Sequence, residues 1–267
     1  MHNIMKYSDD INLHKRFDLS GRRAFITGSA RGIGRAIAIA LAEYGARVIL
    51  HGSRESGNLS SALESARKLN PDCFSVVGDL SDSDAPRRIA DDIGRVCPLP
   101  DIFIANASVQ FSAPWDEITR DDAEKQMRVN FQSTLEFCQI FHPVMKAQKW
   151  GRIITIGSVQ EFRPHPNMAV YAASKSAQEN LVRNLARQIA CEGITVNNIA
   201  PGVFATDRNS AALSNPEYAK RVMDCIPART YAEPADAAGA ALLLASDAGR
   251  YITGANIVID GGLRLPG

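Results

Sequence analysis

Seven short apolar runs separated by helical patterns constrain this chain more than any other feature. The strand-like runs cover residues 24–27, 48–51, 73–77, 102–105, 153–156, 195–199 and 255–259. Helical periodicity falls between them at about 33–44, 58–69, 83–96, 119–147, 169–191 and 233–246. Such alternation specifies an α/β fold, a doubly wound parallel sheet with helices on both faces. At 267 residues the chain suits a single domain with a substantial core, and no repeat, low-complexity tract or linker divides it.

The first strand runs into a glycine-rich turn and then a helix. Arg23-Ala-Phe-Ile-Thr27 leads into Gly28-Ser29-Ala-Arg31-Gly32-Ile33-Gly34, and Arg35-Ala-Ile-Ala-Ile-Ala-Leu-Ala-Glu43 follows with helical spacing. Glycines permit a tight turn and close backbone approach, and a helix N-terminus receives phosphate. The spacing is Gly-x-x-x-Gly-x-Gly. Alone, such a turn can be purely steric; between a strand and a helix it predicts a dinucleotide-phosphate cradle.

A second constellation lies in the middle of the chain. Tyr171-Ala-Ala-Ser-Lys175 sets a phenol and an ammonium four residues apart, on one face if the stretch is helical. A phenol is a poor proton donor or acceptor at neutral pH, and a fixed cation beside it favours the phenolate. Thirteen residues before Tyr171, Ser158 ends the strand-like Gly151-Arg-Ile-Ile-Thr-Ile-Gly-Ser158, where it could hydrogen-bond a reacting oxygen. In isolation the Tyr–Lys pair would read as an ordinary surface pair.

Taken together these motifs resemble the short-chain dehydrogenase/reductase family in its single-domain form. The resemblance runs from about Phe17 to Gly262. It includes Thr27-Gly-x-x-x-Gly-x-Gly34, Asp79-Leu80, Asn106-Ala107, Asn130, the Ser158/Tyr171/Lys175 set and Pro201-Gly202-Val203-x-x-Thr206, in the family order. It implies a Rossmann-type seven-stranded sheet and hydride transfer between a nicotinamide cofactor and a carbonyl or alcohol. By this resemblance the catalytic set is Asn130, Ser158, Tyr171 and Lys175. Tyr171 gives the proton to the developing alkoxide, and Ser158 hydrogen-bonds the same oxygen. Lys175 holds the nicotinamide ribose and favours the Tyr171 phenolate, and Asn130 holds through its backbone a water leading to Lys175. Gly28, Ser29, Arg31, Gly32, Ile33 and Gly34 form the phosphate turn. Asp79 and Leu80 meet the adenine, Asn106 and Ala107 the adenosine ribose, and Thr206 with the backbone around Pro201, Gly202 and Val203 the carboxamide. For Asp79, a helix-capping role is the competing reading. Ala105-Asn-Ala-Ser108 departs from the family's Asn-Asn-Ala-Gly: one sheet hydrogen bond is lost, and Ser108 narrows the nicotinamide side.

The end of the second strand, Val48-Ile-Leu-His-Gly-Ser53-Arg54, selects the cofactor. NAD-dependent members carry Asp where this chain has Gly52, and a carboxylate there would repel a 2′-phosphate. Ser53, Arg54 and Arg31 make an anion site instead, so the expected cofactor is NADP(H). The competing reading is that both arginines are solvated surface charges, and Glu55 stands three positions beyond Gly52.

A net charge of +1 and 45% apolar residues give no support for nucleic acid or membrane as a partner. The five cysteines (73, 97, 138, 191 and 225) have no metal-ligand spacing, so no metal is expected, and reduced thiols fit a cytoplasmic location. Residues 1–17 are polar, without the apolar core of a signal peptide, and are expected to form a mobile arm before the domain at 18–267. Residues 204–231 carry the least pattern and are expected to be the substrate lid. His165 and Arg163, between Ser158 and Tyr171, are candidates to touch substrate; His142 is expected to be structural.

Two subfamilies compete for the substrate. The segments 151–158 and 187–196 resemble 3-oxoacyl-[acyl-carrier-protein] reductases, which need basic residues such as Lys146 and Lys149 to meet an acidic carrier, although Glu192 stands where they often carry Arg. Phe17-Asp-Leu-Ser-Gly21 and His51-Gly-Ser-Arg54 resemble gluconate 5-dehydrogenases and other sugar or polyol oxidoreductases. A catalytically silent NADP(H)-binding module is the alternative of another class. The resemblance also implies a homotetramer, with the helices at 119–147 and from 169 forming dimer contacts.

Overall fold

The computed structural model of the chain describes residues 12–207, 209 and 214–266. Seven strands form one parallel sheet in the order β3-β2-β1-β4-β5-β6-β7: β1 Arg23–Ile26, β2 Arg47–Gly52, β3 Phe74–Val77, β4 Ile102–Ala105, β5 Gly151–Ile156, β6 Ile194–Pro201 and β7 Asn256–Ile259. The order reverses at β1 and β4, so the connections after these two strands leave on opposite sides. That switch opens a crevice at the carboxyl ends of the strands.

The strands are buried on both faces, as a parallel sheet requires. On one side Ile26, Val48 and Leu50 pack against α2 (Gly32–Glu43) and α3 (Gly57–Arg67). The other side, built on Phe25, Phe103 and Ile153, is covered by α4 (Ala85–Val96), α6 (Ser133–Gln148) and α7 (Ala169–Ile189). Phe25, Phe103, Phe137 and Phe141 form an aromatic cluster there, with centroids 5.2–6.0 Å apart. Tilted and edge contacts of this kind add to the area buried. The last long helix, α9 (Ala238–Ala245), packs on α2 and brings Ala241 and Leu244 into the first cluster.

Three stretches differ from the sequence pattern. The helix expected over 119–147 is α5 (Arg120–Met127) and α6, joined by a π-helical segment, Arg128–Gln132. Part of the stretch expected as an arm is helical: α1 (Leu13–Phe17) is capped by Asn12, and Phe17 packs edge-on to Tyr44 at 6.3 Å; residues 1–11 lie outside the described residues. The stretch at 204–231 contains α8 (Pro216–Asp224), begun by Asn215, which accepts from the Glu217 and Tyr218 N–H, and by Pro216 at its first turn. Residues 208 and 210–213 of that stretch lie outside the described residues.

Candidate active site

A cleft of about 660 Å³ lies at the carboxyl ends of β1, β2, β4, β5 and β6, within the size of ordinary cofactor sites. Its floor at one end is the glycine turn. Gly28 has φ +64°, and a Cβ there would stand 2.9 Å from the Ala107 Cα. A Cβ on Gly34 would meet the Asn106 amide and stand 2.8 Å from the Gly28 carbonyl oxygen. Helix α2 begins at Gly32 with no side-chain cap from Arg31, so its first N–H groups face the cleft. Bare backbone and an uncapped helix N-terminus fit a pyrophosphate.

The turn is braced by residues that its sequence pattern does not single out. His51 is 2% exposed; its Nδ1 accepts from the Gly28 N–H at 3.0 Å, and its Nε2 donates to the Gly78 carbonyl at 2.9 Å. Burial holds the imidazole neutral, lowering its pKa from 6.5 to about 4. Ser29, expected to touch the cofactor, faces inward instead. It is fully buried, donates from Oγ to the Ile26 carbonyl, and accepts from the His51 N–H, both at 2.9 Å. Asn106 also turns inward: Nδ2 donates to the carbonyls of Thr27 and Gly28 at 2.8 and 3.0 Å, so its amide supports the turn.

Gly52, Ser53 and Arg54, which follow β2, line the cleft, while Glu55 does not. Arg31 stands at the mouth and pairs with Asp207 at 3.4 Å, both side chains being 65% exposed. A pair so open contributes little to stability. Asp79 and Leu80, expected to meet the adenine, also line the cleft. The Asp79 carboxylate accepts from the Ser81 N–H and hydroxyl at 2.9 and 2.8 Å, and these bonds hold its pKa below the usual range. It therefore makes a local turn and does not cap α4, which begins at Ala85.

The residues expected to carry the chemistry lie towards the far end. Ser158 follows β5, and Tyr171 stands in the first turn of α7; both line the cleft and both are buried. Lys175, one turn further along α7, lies behind them. Its Nζ is 5.8 Å from the Tyr171 ring centroid and donates to the Ile156 carbonyl at 2.8 Å and to Gln178 Oε1 at 2.9 Å. Gln178 is itself fully buried and donates to Thr134 Oγ1 at 3.1 Å, and Thr134 donates to the Asn130 carbonyl at 3.4 Å. Asn130 sits in the π segment, an arrangement frequent at functional sites. Its amide exchanges hydrogen bonds with the Val109 backbone and donates to Ser174 Oγ, which donates to the Tyr171 carbonyl. Asn130, Tyr171 and Lys175 thus belong to one bonded group, tied together by Gln178, Thr134 and Ser174, while Ser158 bonds separately to Gln160 and Glu161.

Pro201, Gly202, Val203 and Thr206 close the third side. The Gly202 N–H donates to the Ile259 carbonyl at 2.8 Å, and the Thr206 methyl faces Gly32 across the cleft. Val203 accepts from the Ala232 N–H at 3.1 Å. Gln110, Gln160, His165, Asn209 and the α8 residues Tyr218 and Val222 also line the cleft. Arg163 turns away, donating to the Leu263 carbonyl at 2.9 Å, and His142 pairs with Glu192 at 2.6 Å. Cys73, Cys97 and Cys138 are buried, and burial pushes the Cys138 thiol up to about 12. No cluster of three metal-ligating side chains exists among the described residues, and no described helix is long and apolar enough to cross a membrane.

A family model for enoyl-(acyl carrier protein) reductases matches residues 28–264, nearly the whole of this fold. The chain belongs to the short-chain dehydrogenase/reductase family. It is 34% identical to gluconate 5-dehydrogenase of Gluconobacter oxydans, over 93% of this chain and 97% of that one. It is also 34% identical to the rhamnolipids biosynthesis 3-oxoacyl-[acyl-carrier-protein] reductase of Pseudomonas aeruginosa, over 95% and 100%. A crystal structure of a 3-oxoacyl (acyl-carrier-protein) reductase from Agrobacterium tumefaciens with NADP bound superposes with a TM-score of 0.90. It is 36% identical and covers 96% of this chain and 99% of that one. The family membership explains why the glycine turn and the Tyr171–Lys175 helix face one cleft.

His51 carries a prediction for stability. Its folded pKa is depressed, so the unfolded chain binds the extra proton between pH 6.5 and about 4. The contribution is complete above pH 6.5 and is lost as the pH falls to about 4, to an extent of about 3 kcal/mol. Urea unfolding at pH 7.5 and pH 4.5 is expected to show a smaller loss in His51→Asn than in the wild type. Equal losses would remove His51 from the acid sensitivity.

Proposed function

We propose that the chain is an NADP(H)-dependent oxidoreductase that reduces a carbonyl, of the 3-oxoacyl thioester type, to a secondary alcohol. The observation that carries this reading is that Ser158 and Tyr171 share a wall of the same cleft whose other end is the uncapped glycine turn. The 2′-phosphate end falls to Ser53 and Arg54, with Arg31 free to leave its weak pair with Asp207. The NADP-bound relative supports this choice.

The bound cofactor supplies the hydride. Tyr171 then donates its phenolic proton to the oxygen on which negative charge grows, and Ser158 donates a hydrogen bond to that oxygen. Both interactions strengthen as charge develops, so they favour the transition state over the ground state. Lys175, fixed by the Ile156 carbonyl and Gln178, keeps a positive charge beside the phenol and stabilises the phenolate left after transfer. The Asn130 backbone would hold a water that connects Lys175 to solvent, and that water is the source from which the proton is replaced. Assembly as a homotetramer in the cytoplasm completes the reading, with light scattering as its check.

A second substrate reading is a sugar or polyol carbonyl of the gluconate 5-dehydrogenase type. It is favoured by the amide and imidazole groups of Gln110, Gln160, His165 and Asn209 at the substrate end. Lys146 is also held by Glu192 at 2.7 Å, so its charge is already matched and is less available to an acidic carrier protein.

Initial rates of NADPH oxidation with acetoacetyl-CoA and with 5-ketogluconate separate the two. Turnover of the thioester supports the first reading, and turnover of the ketogluconate alone supports the second. Failure of both with NADPH still bound would leave the cofactor claim standing and turn the search to other carbonyls or to a catalytically silent binding module. The cofactor claim is tested by Arg54→Ala, expected to weaken NADPH binding about tenfold with little change for NADH. An equal change for both cofactors would remove Arg54 from the 2′-phosphate.

A further inference from the structure

Ser158 is the N-cap of a single 3₁₀ turn, Val159–Glu161, and the turn has both halves of a capping box. Ser158 Oγ accepts the Gln160 N–H at 3.2 Å, and Glu161 Oε1 accepts the Ser158 N–H at 2.9 Å. The first bond uses a lone pair of the catalytic hydroxyl, which leaves its proton to be offered outward. The second fixes the backbone on which that hydroxyl turns.

Glu161 is held firmly enough to act as an anchor. Its two oxygens accept from Asn198 Nδ2 at 3.1 Å each, and Oε2 accepts from Asn256 Nδ2 at 2.8 Å. Asn198 in turn donates to Asn256 Oδ1 at 3.0 Å. One carboxylate therefore joins the end of β5 to β6 and β7. Gly157 is required beside it, because a Cβ there would fall on the Glu161 carboxylate oxygen. The group does not line the cleft, and the mechanism above does not use it.

We propose that Glu161 is a positioning residue that, through the capping box, holds the Ser158 hydroxyl as a hydrogen-bond donor towards the substrate oxygen. The inference rests on the oxidoreductase reading for its kinetic consequence but not for its structural one. Buried acceptors that collect several N–H donors are costly to remove, since each donor is left without a partner.

The test is a cycle of Ser158→Ala, Glu161→Ala and the double variant, with a rescue variant, Glu161→Gln/Asn256→Asp, which moves the carboxylate across the cluster, keeps the acceptor for the Ser158 N–H and sets an acceptor at 256 opposite the new amide donor. In Glu161→Ala, hydrogen exchange at the Ser158 amide, read by residue-resolved NMR, is expected to be at least tenfold faster. The rescue variant is expected to restore protection. NADPH affinity should stay within twofold in all four. Turnover of the best carbonyl substrate should fall about tenfold or more in Glu161→Ala, with no further fall when Ser158 is already Ala. Unchanged exchange in Glu161→Ala would overturn the inference, as would losses that add in the double variant. Should Glu161→Ala fail to bind NADPH, Glu161→Gln replaces it: it keeps the shape and the Ser158 contact to Oε1 and spoils the Oε2 contacts with Asn256 and Asn198. Intermediate protection restored by Asn256→Asp is then the supporting result, and wild-type exchange the opposing one. Exchange decides the anchoring even if no carbonyl is turned over, so failure of the oxidoreductase reading remains a separate result.

Discussion

Replacing Tyr171 by Phe is expected to lower turnover at least a hundredfold while NADPH still binds. The substitution keeps the ring in its buried place at the start of α7 and removes only the oxygen. A hundredfold corresponds to about 3 kcal/mol of transition-state stabilisation, within the range that a positioned general acid contributes. The cofactor cradle is built by the turn at 28–34, on other strands, so its affinity should be spared. Fluorescence titration with NADPH and a turnover assay on the same sample separate the two effects. A variant that turns over at near the wild-type rate would move the proton donor away from Tyr171. Weak NADPH binding would mean that the phenol serves the cofactor more than the reacting oxygen.

The parts of the site that could be read from the sequence are those whose chemistry depends on local spacing. Gly28, Gly32 and Gly34 lie within seven residues, and Tyr171 and Lys175 within one helical turn, so pattern alone places each group on its element. The seven strands were legible because a parallel sheet buried on both faces leaves near-continuous apolar runs. Groups whose partners lie far along the chain were not legible. His51 meets Gly28 and Gly78, and Gln178 meets Thr134, at separations of 23 to 44 residues. Nothing local distinguishes such a His or Gln from a solvated one. Ser29 shows the reverse error: its place in the turn pointed to the cofactor, but its hydroxyl turns to β1 and β2. Two further local signals lie in the sequence. Asn215-Pro216 is an N-cap followed by a proline, and it does begin α8; Ser158-Val-Gln-Glu161 is a capping-box sequence, and it does form one.

Gly34→Ala is expected to weaken NADPH binding at least tenfold, although alanine is intrinsically the better helix former. Gly34 lies in the first turn of α2, where alanine would gain about 1 kcal/mol of helix propensity. Opposing this, the added methyl would stand 2.8 Å from the Gly28 carbonyl oxygen and collide with the Asn106 amide. Asn106 cannot withdraw cheaply, since the same nitrogen holds the carbonyls of Thr27 and Gly28. Overpacking of this kind costs about 1–3 kcal/mol, and here it acts on the peptide groups of the turn proposed to hold the phosphates. Steric cost therefore exceeds propensity, and it appears as lost affinity more than as lost fold. Gly94→Ala supplies the control. Gly94 lies inside α4 with nothing within 4 Å of an added Cβ, so the same change should stabilise the protein by about 0.5–1 kcal/mol and leave NADPH binding untouched. Opposite signs for the two alanines, read by NADPH titration and urea unfolding, would assign Gly34 to the cradle. A tolerated alanine at Gly34 would show that the turn relaxes without disturbing its bound phosphate.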